Sequence, residues 1–241
     1  MKILKTKDDL KGAFLNCKNL GFVPTMGSLH KGHISLIKNS QKKSNKTIVS
    51  IFVNPTQFNN KNDYRTYPKN INLDIRILKK LGVNFVFIPK VKDIYENKLN
   101  SKFTLKKSEK ILCAKKRKGH FEGVLEVMDR LLNLIKPKFL YLGEKDFQQQ
   151  YLINKYLYKK HKFKLIICKT IRHNKMALSS RNLNLKKKSL KTAQLIAEEL
   201  FRIKNKYKNY NFRIKKKNFS LIKHLENKYL IKIEYLDFRN I

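Results

Sequence analysis

Five short runs of β-branched and aromatic residues, each cut off by Gly, Pro, Asn or Lys, set the strongest limit on how this chain can fold. They are Leu20–Val23, Thr47–Val53, Val83–Pro89, Phe139–Leu142 and Phe163–Cys168. None shows the polar alternation of a strand with one wet face, so each reads as a strand buried in a parallel sheet. Helical patterns lie between them at Ile34–Lys43, Ile71–Leu81, Val124–Ile135 and Gln148–Lys160. In the third of these, Val124, Val127, Met128, Leu131, Leu132 and Ile135 recur at helical spacing as one apolar face, and Pro137 ends the run. Alternation of this kind predicts an α/β fold: a Rossmann-like, doubly wound parallel sheet with right-handed crossovers. Ligands of such sheets bind beyond the carboxyl ends of the strands, which directs attention to the loop after Val23.

Residues 1–184 are expected to form this large domain. A small, shortened α+β domain is expected over 185–241, too short for an independent core and so leaning on the first as a lid. It would hold a helix at Leu190–Lys204, a Lys-rich stretch Asn205–Asn218, another helix and a terminal run Leu230–Phe238. The 56 Lys and Arg against 17 Asp and Glu, net +39, would suit a nucleic-acid binder. The lysines, however, are spread along the chain and gather in no patch, so no specific nucleic-acid partner is expected. Three cysteines without CxxC spacing, Cys17, Cys113 and Cys168, read as reduced thiols. Charges in MKILKTKDDLKG argue against a secretion signal, and no apolar run reaches the ~18 residues of a membrane span. A cytoplasmic location without membrane attachment is the expectation.

The loop after the first run reads Pro24-Thr25-Met26-Gly27-Ser28-Leu29-His30-Lys31-Gly32-His33 and leads into a helix. A helix N-terminus offers free N–H groups and a positive dipole to phosphate. Histidines three residues apart share one side of the first turn, where they can donate hydrogen bonds to the α-phosphate of ATP as charge develops on it. Gly32 would clear the nucleotide's approach. The alternative is that one histidine merely caps the helix.

Other strand ends carry further candidates. Asn54-Pro55-Thr56-Gln57 follows the second run, and the amides of Asn54 and Gln57 suit a small hydroxylated substrate, although Asn54 also suits a turn. Gly143-Glu144-Lys145-Asp146 follows the fourth run and supplies a mobile cation for a triphosphate, with Gln149 on the helix beyond. Leu178-Ser179-Ser180-Arg181 offers two hydroxyls and a guanidinium as a phosphate clamp, or as the cap of the next helix. His120 either lines the pocket or caps the helix that follows it. No Cys/His cluster has metal-ligand spacing. Asp74 and Asp146 are possible Mg²⁺ contacts, with the ion held mainly by the ATP phosphates.

The ordered segments PTMGSLHKGH, SIFVNPTQF, GHFEGV, GEKDFQQ and ALSSRN resemble those of the pantothenate synthetase (pantoate–β-alanine ligase) family, within the HxGH nucleotidylyl transferases. The resemblance runs from about Gly21 to Asn182. It implies a homodimer that joins pantoate to β-alanine through a pantoyl adenylate, with ATP as co-substrate and Mg²⁺ as cofactor, and releases AMP and pyrophosphate. It further implies that Met26, Gly27, Ser28, Leu29, His30, Lys31, Gly32 and His33 bind ATP, with His33 as general acid beside His30. Gly143, Glu144, Lys145, Asp146, Leu178, Ser179, Ser180 and Arg181 would hold the nucleotide, with Lys145 and the Ser179–Arg181 triplet also catalytic, and Ile171 would meet the adenine through its backbone. Gln57 would contact pantoate and β-alanine, and Gln149 pantoate; Asn54 and His120 would line the same pocket. The chain departs from the family at Lys118 in place of Pro, at Lys136-Pro137-Lys138 in place of Gln-Pro-Asp, and at Asn174-Lys175-Met176 in place of Asp-Gly-Leu. It also ends roughly forty residues earlier than family members usually do, judged against their length. Another adenylyl- or cytidylyltransferase of the same superfamily, acting on a different acceptor without pantoate, and a basic nucleic-acid binder with a decayed site are the competing readings.

Overall fold

The structure is a computed structural model and describes residues 1–14, 17–96, 101–207 and 217–237. Its sheet holds six parallel strands: β1 (Lys2–Leu4), β2 (Leu20–Thr25), β3 (Lys46–Ile51), β4 (Phe85–Phe87), β5 (Phe139–Gly143) and β6 (Lys164–Cys168). Their spatial order is β1-β4-β3-β2-β5-β6. The chain winds outward from β2 through β3 to β4, then returns to place β5 on the other side of β2. That reversal makes the gap between the carboxyl ends of β2 and β5 the place where such sheets take ligands. The expected α/β fold is the one found, and all five predicted runs are strands.

Alternate residues of the central strands feed two apolar cores. Phe22, Ile48, Leu140 and Leu142 face one, together with Val124, Leu125 and Leu132 of α7 (His120–Ile135) and Leu152 of α8 (Phe147–His161). Val23, Val49, Ile51 and Tyr141 face the other, with Ile37 of α2 (Lys31–Lys43) and Leu78 of α4 (Ile71–Lys80). Burying both faces explains why the strand sequences read as continuous apolar runs.

Several elements depart from the sequence reading. The edge strand β1 and helix α1 (Lys7–Ala13) were not expected; the strand is only three residues long and its Ile3 is exposed. Helix α1 is fixed by a capping box in which Thr6 and Asp9 satisfy each other's backbone N–H groups. Short helices α3 (Lys61–Arg65), α5 (Val91–Tyr95) and α6 (Cys113–Lys116) are too brief for a periodic signal. Helix α7 is buried well beyond one stripe: Leu125, Glu126 and Asp129 are inside as well. Asp129 is held there by Lys102 at 2.5 Å, His161 at 2.7 Å and Lys160 at 2.8 Å. These partners keep its carboxyl down at about 2 against the burial that would raise it.

The chain divides into two compact units. One comprises Met1–Ile171 with Ser179–Arg181; the other comprises Arg172–Leu178 with Asn182–Ile241. Within the second, β7 (Arg172–His173) and β8 (Met176–Ala177) pair antiparallel around Asn174 and Lys175, both at positive φ. That is the backbone of a type I′ hairpin turn. Asn tolerates it and Lys takes the position Gly would favour, so this departure from the family pattern falls on a strained residue. Helices α9 (Lys187–Tyr207) and α10 (Lys217–Tyr229) complete the unit, joined through Glu199, which accepts from Lys228 at 2.8 Å and from the Tyr229 hydroxyl at 2.6 Å. The hairpin falls at 172–177, ahead of the 185–241 stretch for which strand content is expected. Among the described residues the run from Leu230 to Asp237 forms no strand, and Phe238 and most of Asn205–Asn218 lie outside them.

Candidate active site

The β2 carboxyl end turns sharply through Gly27 (φ 80°) and Ser28 (φ 53°). This left-handed pair needs an anchor, and the buried Asp74 on α4 provides one. Its two carboxylate oxygens accept from Ser28 N–H and Leu29 N–H, each at 2.8 Å. Burial raises the Asp74 pKa, opposed by those two N–H donors. Asp74 thereby pins this turn through both carboxylate oxygens. A Cβ at Gly27 would lie 2.9 Å from the same carboxylate and 3.0 Å from Ile51, so glycine is needed there for space as well as for φ.

His30 is the N-cap of α2, and its ring does the capping: Nδ1 accepts from Gly32 N–H at 3.1 Å. His33 reaches back in turn, its Nδ1 accepting from His30 N–H at 3.3 Å. The rings stack with centroids 4.0 Å apart. Because both Nδ1 atoms are acceptors, both rings are neutral with the proton on Nε2. Burial lowers the pKa of His30, helped by the charge of Lys145. It drives His33 down to about 3, with His30 and Lys145 adding to the effect. The capping alternative and the catalytic one are therefore not exclusive: capping sets the tautomer that leaves Nε2–H free. The crowding at Gly32 also differs from expectation, for a Cβ there would strike the His30 ring at 2.8 Å. Glycine makes room for the imidazole.

Beyond β3, Asn54 is buried and fully committed. Its Oδ1 accepts from the Tyr95 hydroxyl at 2.6 Å and the Thr56 hydroxyl at 3.0 Å, while Nδ2 donates to Gly123 O at 3.1 Å and to Gln57 Oε1 at 3.2 Å. Asn54 thus shapes the turn and orients Gln57, with no amide atom left over for a substrate. The fixed Gln57 amide directs Nε2 to Met26 Sδ at 2.9 Å, tying this loop to the first. Helix α7 passes close enough that a Cβ at Gly123 would lie 2.3 Å from Thr56 O. His120 is the first residue of α7, and its Nδ1 meets Gln57 O at 2.6 Å. Since a carbonyl only accepts, Nδ1 carries the proton. Burial lowers its pKa against that bond.

At the β5 end, Lys145 pairs with Asp146 at 2.7 Å, both partly exposed. Glu144 is turned away to receive Thr170 N–H at 3.1 Å. Gln149 lies half-buried in the first turn of α8, and Ile171 half-buried after β6. Gln148 beside it serves structure, donating Nε2 to Glu109 O and Ile111 O. Ser180 is buried too, its hydroxyl donating to Ser28 O at 3.0 Å, so it braces the Gly27–Ser28 turn. Ser179 Oγ accepts from Arg181 N–H at 3.3 Å, a capping contact. Leu178 belongs to the other unit. Arg181 donates side-on to Asp63, Nε to Oδ1 at 3.1 Å and Nη2 to Oδ2 at 2.8 Å, and lies over the rings of Tyr67 and Phe58. Asp63, Tyr67 and Tyr95 were not found from sequence. Among the described residues no three His, Cys, Asp or Glu side chains gather as a metal cluster.

A helix N-terminus with two free imidazole N–H groups at a sheet's switch point defines an α/β nucleotide-binding site. The chain belongs to the pantoate–β-alanine ligase family, whose family model matches residues 2–241. A pantothenate synthetase from Francisella philomiragia is 49% identical over 196 residues, 79% of this chain and 74% of the relative. One from Azobacteroides pseudotrichonymphae is 41% identical over 99% of this chain and 85% of its own length. The crystal structure of the Francisella tularensis pantoate–β-alanine ligase, complexed with a β,γ ATP compound and β-alanine, aligns with a TM-score of 0.88. It is 40% identical and is matched over all of this chain and 90% of that one.

Proposed function

We propose that this site performs the family's reaction, the ATP-dependent condensation of pantoate with β-alanine, and that the residues described above divide the work. The observation that carries the reading is the stacked, neutral His30–His33 pair with both Nε2–H groups free on the N-terminal turn of α2. In the first step a pantoate carboxylate oxygen attacks the α-phosphorus and pyrophosphate leaves with the bonding electrons. The two Nε2–H groups and the α2 amides stabilise the charge that grows on the α-phosphoryl oxygens. Lys145 and Arg181 take the charge of the departing pyrophosphate. In the second step the β-alanine amine attacks the acyl carbon, AMP leaves, and the amine proton is released.

The nucleophiles belong to the substrates, so the protein's share is position and field. Gln57, oriented by Asn54 and His120, and Gln149 hold pantoate beside the nucleotide. His33 enters as a hydrogen-bond donor, since a ring with a pKa of about 3 carries no extra proton at neutral pH. It becomes an acid only as far as the triphosphate's charge lifts that pKa. Magnesium would arrive on the ATP phosphates, with the exposed carboxylate of Asp146 on the turn after β5 as a candidate contact. A homodimer and a cytoplasmic location belong to the same reading by family resemblance.

Purified protein with Mg-ATP should release AMP only when both pantoate and β-alanine are present. Pyrophosphate release that ignores pantoate would point to another acceptor instead. His33→Ala should cut adenylate formation far more than ATP binding; equal losses in both would mean that the ring only binds.

A further inference from the structure

We propose that Asp63 is a positioning residue for the nucleotide: it grips one edge of the Arg181 guanidinium so that the other edge stays aimed at phosphate. This rests on the reading of Arg181 as a phosphate contact. The grip uses Nε–H and one Nη2–H, at 3.1 and 2.8 Å, and leaves the Nη1 hydrogens and the second Nη2 hydrogen free. Those free donors form the end-on fork, which matches a pair of phosphoryl oxygens as well as the side-on fork matches a carboxylate.

The rings beside the pair limit how the guanidinium can turn. Arg181 lies 5.2 Å from the Tyr67 centroid and 5.7 Å from that of Phe58, and these two rings meet edge to face at 5.7 Å. Tyr67 is itself buried. The clamp therefore joins the 58–67 segment, which follows the Gln57 turn, to the Ser179–Arg181 loop.

Stability does not account for the pair. The side chains are 40% and 43% exposed, and an ion pair in that setting adds little to folding. Orientation does account for it. Arg181 also feels the charge of Asp146, the partner of Lys145, so the guanidinium stands within electrostatic reach of the phosphate-binding end of β5. Its guanidinium holds the Asp63 carboxyl below the usual range, so the grip persists at any pH where the enzyme would be assayed.

The test is steady-state kinetics with ATP varied, on the wild type, Asp63→Asn, Asp63→Glu, Arg181→Ala and the Asp63→Asn/Arg181→Ala double variant, with thermal melts alongside. Asp63→Asn should raise the KM for ATP about tenfold, the scale on which partners that orient a ligating side chain act. The KM for β-alanine should hold, and Asp63→Glu should recover part of the loss. With Arg181 already removed, Asp63→Asn should add nothing. A lower KM for ATP in Asp63→Asn would overturn the proposal by making Asp63 a competitor for the guanidinium. An undiminished effect in the Arg181→Ala background would overturn it by making Asp63 a scaffold for its own loop. If Arg181→Ala alone leaves the KM for ATP unchanged, the phosphate role of Arg181 fails first and the role of Asp63 with it.

Discussion

Substituting alanine for Gly32 separates the stability of this protein from its chemistry. A Cβ at that position would sit 2.8 Å from His30 Cε1 and 2.9 Å from Nδ1. Ordinary contact needs roughly 3.4 Å or more, so the imidazole must retreat by about 0.6 Å. It can do so only by turning, which loosens the 3.1 Å cap from Gly32 N–H and the 4.0 Å stack on His33. Losing the cap costs ~1 kcal/mol, while alanine in place of glycine in a helix returns up to ~1 kcal/mol. The fold should therefore hold to within about 1 kcal/mol by urea titration, on the same reasoning. Catalysis should not hold: a 1 Å misplacement at a reacting centre costs ~10²-fold, so a shift of about 0.6 Å should lower kcat/KM by roughly tenfold. Pantoate-dependent pyrophosphate release at limiting ATP reads that loss. Gly12→Ala in α1, where a Cβ meets nothing within 4 Å, is the control and should gain a few tenths to ~1 kcal/mol with full activity. Unchanged kcat/KM in Gly32→Ala would show that the position of the His30 ring is immaterial, and the reading of this turn would fall.

Two other perturbations follow from the same turn. Asp74→Ala strands the N–H groups of Ser28 and Leu29, so stability should drop by about 1–3 kcal/mol for each buried donor, with ATP affinity falling alongside; a variant as stable as the wild type would mean that water replaces the carboxylate. His33 titrates near 6.5 when unfolded and at about 3 when folded, so the unfolded state takes up its proton first as the pH falls. Its contribution to stability is present above pH 6.5 and is lost progressively between there and about 3, with a slope of up to ~1.4 kcal/mol per pH unit. Urea midpoints measured across that window should decline less steeply in His33→Asn, and parallel curves for the two proteins would contradict the burial argument.

Much of this fold was legible because its strands are buried on both faces. Phe22 and Val23, or Leu140 and Tyr141, point to opposite cores, and that is what removes polar alternation from the sequence. The edge strand β1 escaped because three residues with one exposed face carry no such pattern. The candidates His30, Gln57 and Lys145 stood out in the sequence because each lies in the loop or turn that follows a strand. What could not be read was which polar groups are spent inside the protein. Asn54 and Ser180 carry the right atoms for ligands, yet their partners come from Tyr95, Gly123 and Ser28, 41 to 152 residues away in number and fixed only by the tertiary fold. Asp63 was hidden for the same reason: its partner Arg181 is 118 positions distant.

The placement of those spent groups explains how a turn so dense in donors stays open toward a ligand. Four of the residues that contact substrate in the proposed reaction are each held by a bond to a neighbouring group. Asn54 backs Gln57, Gly32 N–H backs His30, His30 N–H backs His33, and Asp63 backs Arg181. In the two histidines the backing bond takes Nδ1, and the hydrogen it leaves on Nε2 is the one the α-phosphoryl oxygens require. A charged imidazole would need hydrogens on both nitrogens and would lose the backing bond at Nδ1. Burial holds the rings neutral, and the neutral rings are the ones that can be held. The low pKa of His33 and its fixed orientation are therefore one property. It follows that a variant restoring a normal histidine pKa here would also free the ring to turn, and should lose rate even at a pH where its charge is unchanged.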